Sequence, residues 1–418
     1  MNYWVISPNA RNDGNIKKYL NIIKKTHKVL MGWSETDNLG KTFRKNIKIG
    51  DLILIAQGSN KNKKVYFVGL VDSDAITEKL EIDNDIFEGQ NRLLKYFTKL
   101  EDFEFDFENC TYGYSKQIPA IYKLKPNENK CDKELSKKLK EKVMITKERE
   151  NLTKNINILK YQKQIILQGP PGTGKTRLAK QMARMIIKND DTPNIDDIKD
   201  QVKLIQFHPS YSYEDFVRGI VAKANGTQIE YKAEDKILAQ MAKEALDNPE
   251  KEYILIIDEI NRANLSSVLG ELIYALEYRD EAVESMYEVD NSKEIILPSN
   301  LYIIGTMNTA DRSIGHIDYA IRRRFAFENI LPNEDIVNPN SKFNEVKKIF
   351  EKHLSPEFDK GKDKVMLGHS YFIADNEEQL EEELENKLKY QVIPLLKEYV
   401  KDGVLNESAL SEIDKLGN

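Results

Sequence analysis

The sequence predicts an α/β fold: a parallel sheet with flanking helices, a small helical subdomain after it, and a separate mixed, strand-rich module before it. Three observations predict it. Strand-length apolar runs alternate with helical patterns across residues 156–335. The run Gly169-Pro170-Pro171-Gly172-Thr173-Gly174-Lys175-Thr176 lies between one such apolar run and a helical pattern. Residues 336–418 then show helical spacing, with Phe343, Val346, Ile349 and Phe350 on one face.

From the N-terminus, residues 1–125 read as one module. Tyr3-Trp4-Val5-Ile6 is an apolar run closed by Ser7-Pro8-Asn9, and 51–56 and 65–71 are further strand-like runs joined by turn formers. Residues 15–30 have helical spacing, and Phe103, Phe105 and Phe107 alternate with acids as in a half-buried strand. Residues 126–155 are polar and rich in Lys and Glu, which predicts a helical linker. The large α/β part, 156–335, offers strands at 165–168, 203–207, 253–257 and 301–305 and a short one near 325–328. Residues 221–250 read as an insertion, a strand pair plus a helix. The helical part is 336–418.

The glycine-rich run has the context of a phosphate-binding P-loop. Ile165-Ile166-Leu167 leads into it as a strand, and Arg177-Leu178-Ala179 leads out as a helix. Glycines let the backbone N–H groups turn inward, and the helix N-terminus adds its positive dipole end. In this pattern Lys175 reaches the β- and γ-phosphates and the Thr176 hydroxyl ligates Mg²⁺. Tyr253 to Ile257 form an apolar strand that ends in Asp258-Glu259, a Walker B arrangement. It delivers Asp258 to the Mg²⁺ shell and places Glu259 to orient and deprotonate the attacking water. A further strand, 301–305, runs on to Asn308, which is placed between the γ-phosphate and Glu259. Arg322-Arg323-Arg324 follow a short helix. In a ring-forming ATPase one arginine there reaches the γ-phosphate of the neighbouring subunit. The sequence leaves open which of the three does so.

These motifs, in this order, resemble the AAA+ family over 156–418. Met307-Asn308-Thr309-Ala310-Asp311-Arg312-Ser313 is similar to the signature of the McrB type, the motor of modification-dependent restriction systems. Phe207–Gly219, Asp258–Asn264 and Leu367–Phe372 are similar to McrB segments as well. The resemblance implies an AAA+ P-loop NTPase with a helical lid, in a hexameric ring that hydrolyses GTP with Mg²⁺. ATP is the alternative, because nothing in composition or spacing reveals the base. It also implies a separate McrC-like nuclease subunit; no convincing nuclease centre is visible in this chain. The rival reading is a MoxR-like protein remodeller with an N-terminal adaptor or RNA-binding domain. Arg218 and Arg262 are candidates for supporting or intersubunit contacts. His208 and His369 read as packed or hydrogen-bonded histidines.

Tyr3–Asn9, Gly32-Trp33 and Ile49–Ile55 resemble the EVE domain of the YTH and PUA superfamily, a small mixed β-barrel. The resemblance covers about 1–125 and implies recognition of modified double-stranded DNA by base flipping. Trp33 would sandwich the base, Ser7 and Asn9 would bond its edge, and Lys41, Arg44, Lys45 and Lys48 would contact phosphates. The charge balance is compatible: residues 1–64 hold 13 Lys/Arg against 4 Asp/Glu, and 72–109 hold 4 against 12. Trp4, inside an apolar strand, reads as core.

Composition narrows the class further. The chain has 418 residues, 40% hydrophobic and 31% charged, with no apolar run of membrane-spanning length. Met1 to Asn9 lacks the pattern of a secretory signal. Cys110 and Cys131 lack metal-site partners and fit a reducing cytosol better than a disulfide scaffold. The expectation is a cytoplasmic protein without a membrane partner.

Overall fold

The computed structural model describes residues 1–7, 16–31, 38–57, 64–100, 121–128, 130–225, 228–310, 317–338, 341–358, 365–374 and 379–417. The chain divides into two compact units, Met1–Asn151 and Leu152–Asn418.

The first unit is built on a mixed seven-stranded sheet. Its strands are β1 (Tyr3–Ile6), β2 (Lys28–Met31), β3 (Leu52–Gln57), β4 (Lys64–Val71), β5 (Ile76–Ile82), β6 (Asp85–Lys99) and β7 (Ile121–Lys123). The order is β2-β6-β4-β3-β1-β7, with β5 paired to β6. β1 runs parallel to β3, and the other pairings are antiparallel. The expected barrel is met as far as a mixed sheet; among the described residues no pairing joins β2 to β7. Side chains sort by the period of two. Trp4, Ile6, Ile53 and Ile55 enter one core with Ile22 and Ile23 of the helix Ile16–Thr26. Val5, Leu52, Leu54 and Ala56 enter another with Leu135, Leu139 and Val143 of the helix Lys130–Gln162.

Two buried polar groups hold this unit. Asp51 accepts from Trp4 Nε1 (3.0 Å), Asn2 N (2.8 Å) and Lys48 N (3.1 Å). Trp4 is therefore a core residue with its one polar atom satisfied. Arg92 is fully buried and donates to three carbonyls, Phe43 O (3.0 Å), Ser73 O (2.8 Å) and Arg44 O (2.8 Å). Arg92→Ala would leave those carbonyls unpaired in the interior. The expected cost is about 3 kcal/mol, read as a lower denaturation midpoint.

Several sequence expectations change here. The hairpin β5–β6 was not anticipated, although Asp83 and Asn84 at its turn, with φ of 50° and 66°, are the residue types that tolerate it. Cys131 is buried and disulfide-bonded, contrary to the thiol expectation. The strand expected at Phe103–Phe107 lies outside the described residues.

The second unit holds a five-stranded sheet, all parallel, in the order β16-β8-β15-β12-β9. The strands are β8 (Gln164–Gly169), β9 (Val202–Gln206), β12 (Tyr253–Asp258), β15 (Leu301–Asn308) and β16 (Ala326–Asn329), which match the five expected runs. Both faces of the central strands are covered, so the runs Ile165–Leu167, Tyr253–Ile257 and Leu301–Ile304 read as continuously apolar. Leu255, Ile257, Leu301 and Ile303 pack on one side; Ile254, Ile256, Tyr302 and Ile304 pack on the other. Each such fully buried side chain contributes about 1.5–3 kcal/mol against exposure.

Two hairpins stand beside the sheet, β10–β11 (Arg218–Asn225, Gln228–Asp235) and β13–β14 (Ala282–Val289, Ser292–Ile296). The first is the expected insertion, followed by the helix Ile237–Asp247. Buried Arg218 ties the two together through Asp235 Oδ1 (2.7 Å), Tyr287 O and Ser292 O (3.1 Å each) and Glu294 O (3.3 Å). The remaining chain forms a helical subdomain from the helices Phe343–His353, Leu380–Lys387, Ile393–Lys401 and Leu410–Lys415. Its core gathers Phe343, Val346, Phe350, Phe372, Leu396 and Ile413.

Candidate functional site

The site forms where the parallel strands end. β8 gives way at Gly169 to the glycine-rich loop, and the helix Lys175–Lys188 begins directly after it. Gly172 and Gly174 have φ of +78° and +80°, a region that side chains with a Cβ rarely adopt. Gly169 has no room for a Cβ, which would fall 2.1 Å from Ile330 O. Thr173 is buried and bonds Pro170 O at 3.0 Å, which fixes the loop between Pro170, Pro171 and the helix. The helix N-terminus opens on this loop, a geometry suited to an anion.

The parallel register brings the other motifs to the same edge. Asn308 at the end of β15 pairs with Gly169 at the end of β8. Asp258 ends β12, the strand on the far side of β15. Lys175 Nζ donates to Asn308 Oδ1 (2.7 Å), Pro170 O (2.8 Å) and Gly169 O (3.0 Å). Burial pushes its pKa down to about 8, against the pull of Glu259 and Asp258. Thr176 Oγ1 lies 2.8 Å from Asp258 Oδ1, which also accepts from Thr306 Oγ1. A hydroxyl and a carboxylate oxygen so close form a hard-oxygen pair of the kind Mg²⁺ takes.

Glu259 follows Asp258 with φ of +53°, an uncommon conformation for a residue with a Cβ. The turn carries its side chain back over the sheet edge. Asn308 Nδ2 donates to Glu259 Oε1. Glu259 Oε2 is buried without a hydrogen bond and faces Arg262 Nε at 3.4 Å. Burial raises the Glu259 pKa, and Arg262 partly offsets that. A half-buried carboxylate whose second oxygen is held only by a long ion pair is equipped to take a proton from water. Lys175, Thr176, Asp258, Glu259 and Asn308 thus form one connected constellation. Thr306, which holds Asp258 and accepts from the Glu259 N–H at 3.3 Å, was not singled out in the sequence. Its inward place on a buried strand was the one available signal.

The three arginines separate. Arg324 is buried, with Glu277 Oε2 at 2.8 Å from Nη2 and Ala320 O at 2.9 Å from Nη1. It anchors its own turn. Arg322 is exposed and lies over the Phe327 ring at 4.9 Å, and Arg323 is exposed with Glu277 at 3.6 Å. Their helix Tyr319–Arg322 is capped by Asp318, which bonds Ile321 N (2.8 Å) and also Ser266 of the helix Leu265–Leu269.

The lid meets the loop directly. Gly368 N donates to Pro171 O (2.9 Å) and Ser370 N to Gly172 O (3.0 Å). A Cβ on Gly368 would fall 2.0 Å from the Gly172 carbonyl carbon. The sequence had not placed these residues at the site.

The base-reading candidates remain apart. Ser7 is half-buried after β1, whereas Asn9 and Trp33 lie outside the described residues. Lys41, Lys45 and Lys48 are exposed and Arg44 is half-buried, all in or just after the helical turns Asn38–Lys41 and Thr42–Asn46. Among the described residues, no helix is long and apolar enough to cross a membrane.

A parallel sheet, a phosphate-type loop, paired acids and a polar strand end are the parts of the AAA+ P-loop fold. A model of the AAA domain of the dynein-related subfamily matches residues 164–325. A model of the McrB alpha-helical lid domain matches residues 352–404. The chain is 38% identical over 265 residues to the type IV methyl-directed restriction enzyme EcoKMcrB subunit of Escherichia coli strain K12, covering 58% of this chain and 55% of that one. It is 27% identical over 232 residues to the type II restriction enzyme BsuMI component YdiS of Bacillus subtilis strain 168, covering 47% of this chain and 65% of that one. The chain therefore matches between half and two thirds of the length of these relatives. Over these residues it is similar to AAA+ proteins of the McrB type.

Proposed function

We propose that the chain is the nucleotide-hydrolysing motor of a modification-dependent restriction system. The connected constellation of Lys175, Thr176, Asp258, Glu259 and Asn308 carries this reading. In it, the loop Gly169–Thr176 cradles the phosphates, and Thr176 and Asp258 hold Mg²⁺. Glu259 takes the proton of the attacking water, and Asn308 positions that water beside the γ-phosphate. Mg²⁺ draws charge from the phosphate oxygens when bound. GTP is the assigned substrate, with ATP the alternative.

The exposure of Arg322 and Arg323 supports one of them reaching the site of a neighbouring copy, in a ring of six. The buried pairing of Arg324 removes it from that role. Residues 156–335 and 336–418 form the motor and its lid, joined through 126–155 to a reader, 1–125. The reader flips a modified base of double-stranded DNA against Trp33, with Ser7 and Asn9 at the base edge. One observation favours such a pocket. Asn91, in β6, is fully buried, and neither amide atom has a partner among the described residues. An unpaired buried amide is costly, and a base edge offers both the donor and the acceptor it lacks. Strand cutting belongs to a McrC-like nuclease partner, in the cytoplasm.

The test is turnover of GTP and ATP by the full chain, alone and with plain or methylated duplex DNA. Faster GTP than ATP turnover, with binding that prefers methylated duplex, is the expected outcome. Equal binding of plain and methylated DNA removes the reader role and favours the remodeller reading.

A further inference from the structure

We propose that His369, on the lid, is a nucleotide-contacting residue whose Nε2–H donates a hydrogen bond to a phosphate oxygen of the nucleotide held by the glycine-rich loop. The inference rests on the nucleotide reading of that loop. Its first support is where the backbone puts the ring. His369 lies between Gly368 and Ser370, whose N–H groups bond Pro171 O at 2.9 Å and Gly172 O at 3.0 Å. Neither side of this contact has slack: a Cβ on Gly172 would fall 2.5 Å from the Tyr371 ring, and one on Gly368 would fall 2.0 Å from the Gly172 carbonyl carbon. The position of His369 over the loop is thus set by main-chain bonds rather than by a flexible side chain.

Its second support is the tautomer. The N–H of Asn333 donates to His369 Nδ1 at 3.2 Å. A ring nitrogen that accepts carries no proton, so the neutral imidazole holds its proton on Nε2. That nitrogen faces the loop: it lies 3.8 Å from where a Cβ of Gly174 would stand. It has no hydrogen-bond partner among the described residues. Gly174 is the last residue before the helix Lys175–Lys188, where the free main-chain N–H groups gather. One more N–H aimed there adds to the same anion cradle. Burial pushes the His369 pKa down to about 4, with the Arg177 charge adding to the effect, so the ring acts as a neutral donor. A donor carried by the lid ties lid position to nucleotide occupancy, and a donor to phosphate does so whichever base is bound.

The experiment uses the full chain bearing Glu259→Gln with ¹⁵N-labelled histidine. Its His369 ring signals are assigned with His369→Gln and followed as GDP, ADP or a non-hydrolysable GTP analogue is added with Mg²⁺. The expected result is an Nε2–H tautomer without nucleotide and a displaced Nε2 signal with it. His369→Ala should weaken GDP and ADP by the same factor, about tenfold, and His369→Gln, which retains an N–H near that position, should bind within about threefold of the parent. A parent that binds nucleotide while the His369 signals stay still overturns this inference and leaves the motor reading standing. So does a His369→Ala loss confined to one base. A parent that binds no nucleotide overturns both. The signal is read on the unsubstituted histidine, so the test does not depend on the alanine variant folding.

Discussion

Glu259→Gln is expected to bind nucleotide with affinity near that of the parent and to turn it over about a thousandfold more slowly. The size follows from the role. A positioned general base contributes about 10²–10⁴ in rate, and the amide keeps the shape of the carboxylate without its basicity. Binding survives because the Glu259 side chain hydrogen-bonds none of the loop residues that face phosphate; its partners are Asn308 and Arg262. The uncommon backbone of Glu259 is also retained, since Gln meets the same steric limits at φ of +53°. A fluorescent nucleotide titration and a phosphate-release assay on one preparation check the two halves. Parent-like turnover would remove Glu259 from the chemistry.

Lys175→Ala is expected to fail one step earlier, with nucleotide affinity down at least about a hundredfold. The ammonium is held by Gly169 O, Pro170 O and Asn308 Oδ1 at the mouth of the loop, and it is largely shielded from water. A triphosphate would replace weak neutral partners by anionic oxygens. Charge-assisted bonds of that kind are worth about 1.5–3 kcal/mol each, and two of them account for the predicted loss. The fold should tolerate the change, because the alanine removes a charge that burial already disfavours. The same titration, with a melting curve as control, reads the result. Affinity within threefold of the parent would mean that the loop binds through its main chain alone. The pair of variants separates binding from chemistry, which neither does singly.

Much of this site was legible in the chain because its motifs are local. The loop Gly169–Thr176 needs a strand before it and a helix after it, and both announce themselves by composition over a few residues. Asp258 and Glu259 stand at the end of an unbroken apolar run, and Asn308 just beyond another. The central parallel strands were readable for the same reason: the apolar runs of β8, β12 and β15 are buried on both faces, whereas the edge strands β9 and β16 carry Lys203, Gln206, Glu328 and Asn329. Less was legible where the signal is weak or distant. The hairpins β5–β6 and β13–β14 turn on Asp83-Asn84 and Asp290-Asn291, which also suit an ordinary loop. Arg322, Arg323 and Arg324 are identical in sequence terms, and only burial and the bond to Ala320 O distinguish Arg324.

The sequence by itself determined the element types, the phosphate-type loop and the acids and amide that accompany it, since each is encoded by neighbours along the chain. Tertiary structure decided which of them meet. The register of β15 on β8 sets Asn308 beside Gly169 and within 2.7 Å of Lys175. The folding back of the lid sets Gly368 and His369 on the loop. Such contacts join residues far apart in the chain through strand pairing and close packing, and no local pattern of residue types encodes a pairing between distant segments.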